Sequence, residues 1–179
     1  TGLEALRENI TGNNNVATGF QALFNNQSGQ NNVATGCQAL YLNTGKNNVA
    51  TGMQALYKNT DGSNNVATGF QALYNNYSGE ENVAVGGYAL YSNTASWNTA
   101  TGYKALYSNT DGCGNVAVGG QALYSNIDGS FNVATGSLAL YSNEGGQRNV
   151  ATGYRALWNN RTGEYNTASG TDALKLNNN

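Results

Sequence analysis

The sequence contains no proline and no histidine, and it has only one methionine, two cysteines and few charged residues. Without histidine there is no imidazole general base, no Ser-His-Asp or Cys-His catalytic arrangement and no histidine-ligated metal site. Eight lysines and arginines against ten acidic residues give a net charge of −2. That balance leaves no basic stripe for nucleic acid or for an anionic membrane surface. No apolar run approaches the ~18 residues that a membrane-spanning helix needs.

Glycine and asparagine dominate what is present, with 24 and 31 of the 179 residues. They occur in a tandem repeat, because the string Asn-(Val/Thr)-Ala-x-Gly-x-x-Ala-Leu recurs along the whole chain. Successive copies are 17 residues apart, except for two spacings of 16. We call the repeated glycine the corner glycine, and it occurs eleven times: Gly2, Gly19, Gly36, Gly52, Gly69, Gly86, Gly102, Gly119, Gly136, Gly153 and Gly170. Such a period indicates a solenoid, in which each copy occupies the same environment.

Several positions in the repeat are nearly constant. Alanine, leucine and asparagine stand three, four and seven residues after every corner glycine, and an aromatic residue stands five after it in nine of eleven copies. A second asparagine precedes the Val-Ala or Thr-Ala pair in all ten junctions. In a β-solenoid these positions stack into ladders along the axis. The predicted structural ladders include Asn26, Asn43, Asn76 and Asn109; Asn32, Asn65 and Asn132; Leu40, Leu73 and Leu123; and Tyr41, Tyr74, Tyr107 and Tyr141.

The repeat length predicts the architecture. At ~3.3 Å per residue, 17 residues wrap a perimeter of at most ~56 Å, which suits one coil of a narrow β-solenoid. We predict an all-β chain of eleven 16–17-residue coils, with one strand at Asn-Val-Ala-Thr-Gly and a second at Gln-Ala-Leu-Tyr. The absence of proline fits, because every coil must donate its N–H groups to a neighbour. The chain is expected to be one domain, 1–179, with segments 1–15 and 166–179 as caps.

A strand plus a short helical turn in each coil is the alternative. Thr18 and Gln21 have the spacing of a helix capping box, and the apolar residues also match a helical face. Stacked strands advance ~4.8 Å per coil, whereas stacked helices need ~8–10 Å. The β-solenoid is therefore favoured. The handedness of the coil, and whether leucine or the aromatic residue faces the core, stay open.

The Val-Ala-Thr strand separates two faces by alternation. If alanine points into the thin interior, the β-branched residues form an uncharged outer band, and such bands usually mark interfaces. The alternative is that valine and threonine face the core. The first reading predicts lateral association of rods through Val16, Val33, Val66, Val85, Val118 and Val133.

Other chemistry is sparse. Cys37 and Cys113 lie four coils apart, ~19 Å along the axis, so they are too distant for a disulfide; we expect a half-buried and an exposed thiol. No cluster of acids has calcium-site spacing, and no carboxylate pair suggests catalysis. We therefore expect no catalytic, cofactor-binding or metal-binding residues. Glycosylation sequons occur at Asn9, Asn26, Asn76 and Asn160, but the repeat itself generates them.

The segment Asn98 to Tyr107, Asn-Thr-Ala-Thr-Gly-Tyr-Lys-Ala-Leu-Tyr, resembles repeats in the head domains of trimeric autotransporter adhesins and in phage tail fibres. That resemblance implies left-handed parallel β-rolls that associate as trimers and bind host or matrix surfaces. Gly29, Asn32, Ala34 and Gln38 also match the spacing of curli-type amyloid repeats. This second resemblance implies self-stacking into fibres.

The expected function is a non-catalytic structural or adhesive element of an extracellular fibre, at a cell surface or on a virion. A homo-oligomer, with a trimer favoured, or an open fibre is expected, with a host-surface or glycan receptor as a further partner. Ligand contacts are expected at the second residue after the corner glycine and in the variable turns. The alternatives are an amyloid-like matrix fibre and an ice-binding solenoid that uses the threonine array.

Overall fold

A computed structural model describes residues 1–177. Asn178 and Asn179, which belong to the predicted C-terminal cap, lie outside the described residues. The strands are β1 (Val16–Thr18), β2 (Val33–Thr35), β3 (Leu42–Asn43), β4 (Val49–Thr51), β5 (Lys58–Asn59), β6 (Val66–Thr68), β7 (Val83–Val85), β8 (Thr99–Thr101), β9 (Val116–Val118), β10 (Val133–Thr135), β11 (Val150–Thr152) and β12 (Thr167–Ser169).

Ten of these strands form one parallel sheet, in which each strand pairs with the corresponding strand of the next repeat. The register is the repeat itself, so that Ala17 lies opposite Ala34 and Ala34 opposite Ala50. The prediction of an all-β parallel solenoid is confirmed. Residues 1–177 contain no helix, and the alternative of a helical turn in each coil is therefore wrong.

The number of turns differs from the eleven coils that were predicted. Eleven corner glycines are separated by ten strand segments, and ten stacked strands span nine complete turns from Val16 to Thr167. Counting copies of Gly-x-x-Ala-Leu therefore overstates the number of complete turns. Within residues 1–177, no strand precedes the first corner glycine and none follows the last.

The second strand in each coil was also predicted wrongly. Only β3 and β5 lie outside the main sheet in the described residues, and they form a two-stranded sheet of their own. Both begin after the Gln-Ala-Leu-Tyr segment, which is a tight bend in these coils as in the others and has its alanine and leucine fully buried. Adjacent residues of a strand point to opposite faces, so a strand with one face toward solvent, as on the wall of this rod, cannot bury both.

The bend is made by left-handed backbone at the second and fourth residues after the corner glycine. In one coil Gln21 has φ 52° and Leu23 has φ 51°. The backbone N–H of Gln21 donates to the carbonyl of Leu3 in the preceding coil, whereas the backbone N–H of Leu23 donates to the carbonyl of Ala39 in the following coil. The left-handed residues thus direct backbone donors along the axis. Each such residue other than glycine costs about 1–2 kcal/mol, which the hydrogen bonds between coils and the burial of leucine offset.

The corner glycines have no substitute in this geometry. Gly102 has φ 133°, and a Cβ built on it would lie 2.6 Å from the carbonyl oxygen of Gly119 in the next coil. Both the backbone conformation and the close approach of successive coils therefore require glycine.

The interior is a thin column of small and medium side chains. Two alanines and one leucine from each interior coil are buried, and two asparagines fill the rest of the space. Leucine faces the core, and the aromatic residue that follows it lies half-buried on the outside. The constant alanine reflects the narrow gap between the sheet and the opposite wall.

Candidate functional site: the ladders and the outer faces of the rod

The first asparagine ladder consists of the asparagines seven residues after each corner glycine. From Asn26 to Asn177, each Nδ2 donates to the Oδ1 of the asparagine one coil earlier, over 2.6–3.2 Å. In Asn26 the same Nδ2 also donates to the carbonyl of Gly29 in its own turn. The predicted ladder members Asn26, Asn43, Asn76 and Asn109 are therefore confirmed as buried and hydrogen-bonded along the axis.

The second asparagine ladder precedes the strands and ties each turn to the next coil. Asn32 donates its Nδ2 to the carbonyl of Gly45, and its Oδ1 accepts the backbone amide of Asn48. Asn65 and Asn132 make the same two contacts, since each donates its Nδ2 to a glycine carbonyl and accepts the backbone amide of the next coil's asparagine at its Oδ1. No buried side-chain nitrogen or oxygen among the described residues lacks a hydrogen-bond partner. An interior this polar is tolerable only because it is fully paired.

The aromatic ladder runs along the outside from Phe24 to Trp158. Consecutive rings are parallel within 6–11°, with centroids 5.0–6.0 Å apart. Partial burial raises the pKa of Tyr57 and Tyr91 above the usual 10.0, and the neighbouring tyrosines raise it further. The ladder therefore presents ring edges to solvent, and the hydroxyl groups of Tyr57 and Tyr91 stay protonated at neutral pH.

The sheet face is the outward side of the ten-stranded sheet. Its alanines are buried and its valines and threonines point to solvent, as the first reading of the strand predicted. No charged residue occurs at the outward positions of any of the ten strands. The residues predicted for lateral association lie on this face: Val16, Val66, Val85 and Val118 are exposed, and Val33 and Val133 are half-buried.

The second residue after the corner glycine, where an exposed position suited to ligand contacts was expected, forms a further amide ladder. Gln38 donates to Gln21, and the chain continues through Gln54 to Gln71 over 2.7–2.9 Å. It ends at Tyr88, whose ring makes edge contacts instead. The position is half-buried rather than exposed. Glutamine at the same place in consecutive copies was the signal that could have found it.

The residue before the second asparagine forms a column at the corner that precedes each strand. In the N-terminal coils it is an exposed chain of amides, in which Asn14 donates to Asn31 and Asn31 to Asn47. In the C-terminal half the column is mainly aromatic and basic: it holds Trp97, Gly114, Phe131, Arg148 and Tyr165. The guanidinium of Arg148 lies 5.8 Å from the ring centroid of Phe131 and 5.4 Å from that of Tyr165.

Both cysteines are free, as predicted. Cys113, which was expected to be exposed, is half-buried, and its sulfur lies 3.6 Å from the hydroxyl of Ser130. Three of the four sequon asparagines, Asn26, Asn76 and Asn160, are fully buried members of the first asparagine ladder. Their amide nitrogens are already committed to two acceptors each.

Within residues 1–177, no three histidine, cysteine or acidic side chains converge on a common point where a metal ion would fit. No helix in that range is long and apolar enough to cross a membrane. The surface of the described residues carries no enclosed pocket. The features that can contact another molecule are therefore open faces and edges of the rod.

No protein-family model, no curated protein and no solved structure matches the chain.

Proposed function

We propose that this chain is a non-catalytic, extracellular structural and adhesive rod that associates laterally with copies of itself, as a trimer, through the sheet face. The observation that carries the proposal is the uncharged strip of outward valine and threonine along the whole sheet. The largest apolar patch on a protein surface is often a functional contact surface.

The area of the strip is enough for an interface only when residues beside the strip are buried with it. Nine steps of ~4.8 Å by three residues give roughly 400 Å². A stable interface buries about 800 Å² on each partner. The column of residues that precede the second asparagines lies beside the strands and offers additional exposed apolar surface in Trp97, Phe131 and Tyr165. We therefore expect these aromatic residues to be buried together with the sheet face.

The ladders supply what a fibre element needs. Every coil is joined to its neighbours by backbone hydrogen bonds, two asparagine ladders and stacked rings. Each bond is modest in isolation, but a periodic set holds the coils in one register, so that surface groups recur at fixed spacing. Weak contacts at recurring positions combine by avidity, which is the proposed basis of adhesion to a host surface or glycan.

The mass in solution tests the proposal. Light scattering on the wild-type chain is expected to give three times the 18.7 kDa of one chain. Val85→Lys with Val118→Lys places two cations on the sheet face and is expected to give monomers. The matched control is Ser92→Lys with Ser108→Lys, because Lys58 already occupies that position in another coil. A monomeric wild type, or a trimer that survives the valine substitutions, contradicts the proposal.

Two other functions would give different results. Open-ended fibres at modest concentration would favour a self-assembling amyloid-like matrix subunit, whose support here is the glutamine and asparagine ladders. Thermal hysteresis would favour ice binding, for which the flat threonine-containing sheet face is the relevant feature. The strands β7 and β9 present only valine outward, and this interrupts the threonine array. That interruption favours packing against protein.

A further inference from the structure

The residues directly after the corner glycines form a column along one edge of the sheet face. In four successive coils this column reads Tyr103, Gly120, Ser137 and Tyr154. The two tyrosines are 55% and 41% exposed, and the two residues between them are small. Three coil steps, roughly 14 Å, separate the tyrosines. We call the gap between them the notch.

The notch is open space. A Cβ built on Gly120 would meet only the hydroxyl of Ser137, at 3.9 Å. The ring of Tyr103 lies on the other side, 3.6 Å from a Cβ built on Gly87 in the preceding coil. Tyr103 therefore leans toward Gly87 and does not fill the space beside Gly120.

A cation stands beside each tyrosine. The Nζ of Lys104 lies 5.4 Å from the ring centroids of both Tyr103 and Tyr107, and 5.8 Å from that of Tyr88. The guanidinium carbon of Arg155 lies 4.8 Å from the ring centroid of Tyr154. Within residues 1–177 neither cation forms an ion pair with a carboxylate. Aromatic rings hold both side chains in place, and their charges stay available to a ligand.

The acidic groups of the same coils stand elsewhere. Asp111, Asp128, Glu144 and Glu164 all belong to the turns that follow the first asparagine ladder, at least eight residues after the corner glycine. One coil beyond Arg155, Asp172 holds the equivalent position, and its carboxylate is paired with Lys175. The wall of the notch between the two cations is made by Gln121 and Leu138. The notch thus combines two aromatic walls, two cations, one amide and one hydroxyl.

We propose that the notch binds an acidic polysaccharide. The apolar faces of sugar rings pack on aromatic side chains, carboxylates pair with lysine and arginine, and Gln121 and Ser137 have the groups to hydrogen-bond sugar hydroxyls. A polymer can lie along an open notch without an enclosed pocket. The inference rests on the proposed adhesive function and names the ligand class and its place on the rod.

The N-terminal coils lack this combination. There the same column holds Phe20, Cys37, Met53 and Phe70, which leave no gap of small residues, and the neighbouring glutamines bond to each other. Binding is therefore expected at one place in the C-terminal half of the rod and not along its whole length.

Binding of the full chain to immobilised polygalacturonate, a uronic acid polymer, tests the inference, with dextran as the neutral comparison. Wild type is expected to bind polygalacturonate and not dextran, and salt is expected to weaken binding. The double variant Lys104→Gln/Arg155→Gln removes both cations and replaces them with glutamine, which already occupies the equivalent position at Gln121. It should reduce affinity at least about tenfold. Gly120→Tyr with Ser137→Tyr should abolish binding by filling the notch.

Phe20→Ala is the matched control, because it removes a ring from the same column outside the notch; it should leave binding unchanged. Absence of binding by wild type, equal binding to dextran, or full affinity in either notch variant overturns the inference. The circular dichroism spectrum of each variant shows whether the rod is still folded. Rods of trimeric mass that fail to bind refute only this inference, whereas monomers that bind refute the proposed assembly and leave the site standing.

Discussion

Removing one member of the first asparagine ladder in the middle of the rod should be costly. In Asn76→Ala three hydrogen bonds disappear: Nδ2 donates to Asn59 and to the carbonyl of Gly79, both at 2.8 Å, and Oδ1 accepts from Asn93 at 3.2 Å. At about 1 kcal/mol each these amount to about 3 kcal/mol.

The groups left behind add to this cost. Gly79 and Asn93 keep a second partner, but the buried Oδ1 of Asn59 has no other donor among the described side chains. An orphaned buried acceptor costs a further ~1–3 kcal/mol. We expect a total loss of about 4–6 kcal/mol in the free energy of unfolding, which is large for a single substitution.

Asn75→Ala is the matched control. Asn75 is the adjacent residue, is only half-buried and makes no side-chain hydrogen bond within the described part of the chain. Its replacement should change the free energy of unfolding by less than about 0.5 kcal/mol.

Urea denaturation gives the size of both effects, and amide hydrogen exchange gives their position, because a solenoid loses stability locally. Exchange should accelerate most in the coils on either side of residue 76. Equal effects of the two substitutions would refute the argument that the ladder holds the interior together.

Three further outcomes follow from the structure. Gly102→Ala should destabilise the rod by at least about 2 kcal/mol, because it combines an unfavourable backbone conformation with a clash, whereas Gly120→Ala should be nearly neutral. Thermal melts compare the two variants, and equal melting temperatures would contradict the requirement for glycine at position 102. The free energy of unfolding should fall as pH rises above 10, because the folded rod holds the protons of Tyr57 and Tyr91 more tightly than the unfolded chain does. Urea titrations at alkaline pH should show a smaller fall in the double variant Tyr57→Phe/Tyr91→Phe. A fall of the same size would argue against a role for these two tyrosines. Because both cysteines are free, a reducing agent should leave the melting temperature unchanged, and a decrease would reveal a disulfide.

The sequence was sufficient for the parts of the fold that depend on period alone. A spacing of 17 residues with asparagine, alanine and leucine in constant positions predicted stacked coils and side-chain ladders. Alternation in Val16, Ala17 and Thr18 separated the two sides of the strand but left open which side is buried, and the structure buries the alanine. These inferences succeed because identical residues in adjacent coils must occupy identical environments.

The bend that replaces the second strand could not be obtained in this way. Left-handed φ at Gln21 and Leu23 is against the ordinary preference of both residue types, and only packing between coils enforces it. The adjacent Ala22 and Leu23 did carry a signal, since two consecutive constant apolar residues are incompatible with strand alternation. Ligand contacts were expected at the position of Lys104, Gln121 and Arg155, but the neighbouring column from Tyr103 to Tyr154 was not singled out. Its residues differ between copies, and periodicity reports only what the copies share.

The restriction of contacts to adjacent coils has a mechanical consequence. A force applied to the two ends of the rod loads the coils in series, and the interface at an end, which has a neighbour on one side only, is the first to open. Each release would free about 17 residues and lengthen the chain by about 50 Å, after allowing for the ~5 Å that a folded coil occupied. Stretched under tension, a single rod should therefore extend in equal steps, and it would absorb work one repeat at a time without breaking a covalent bond.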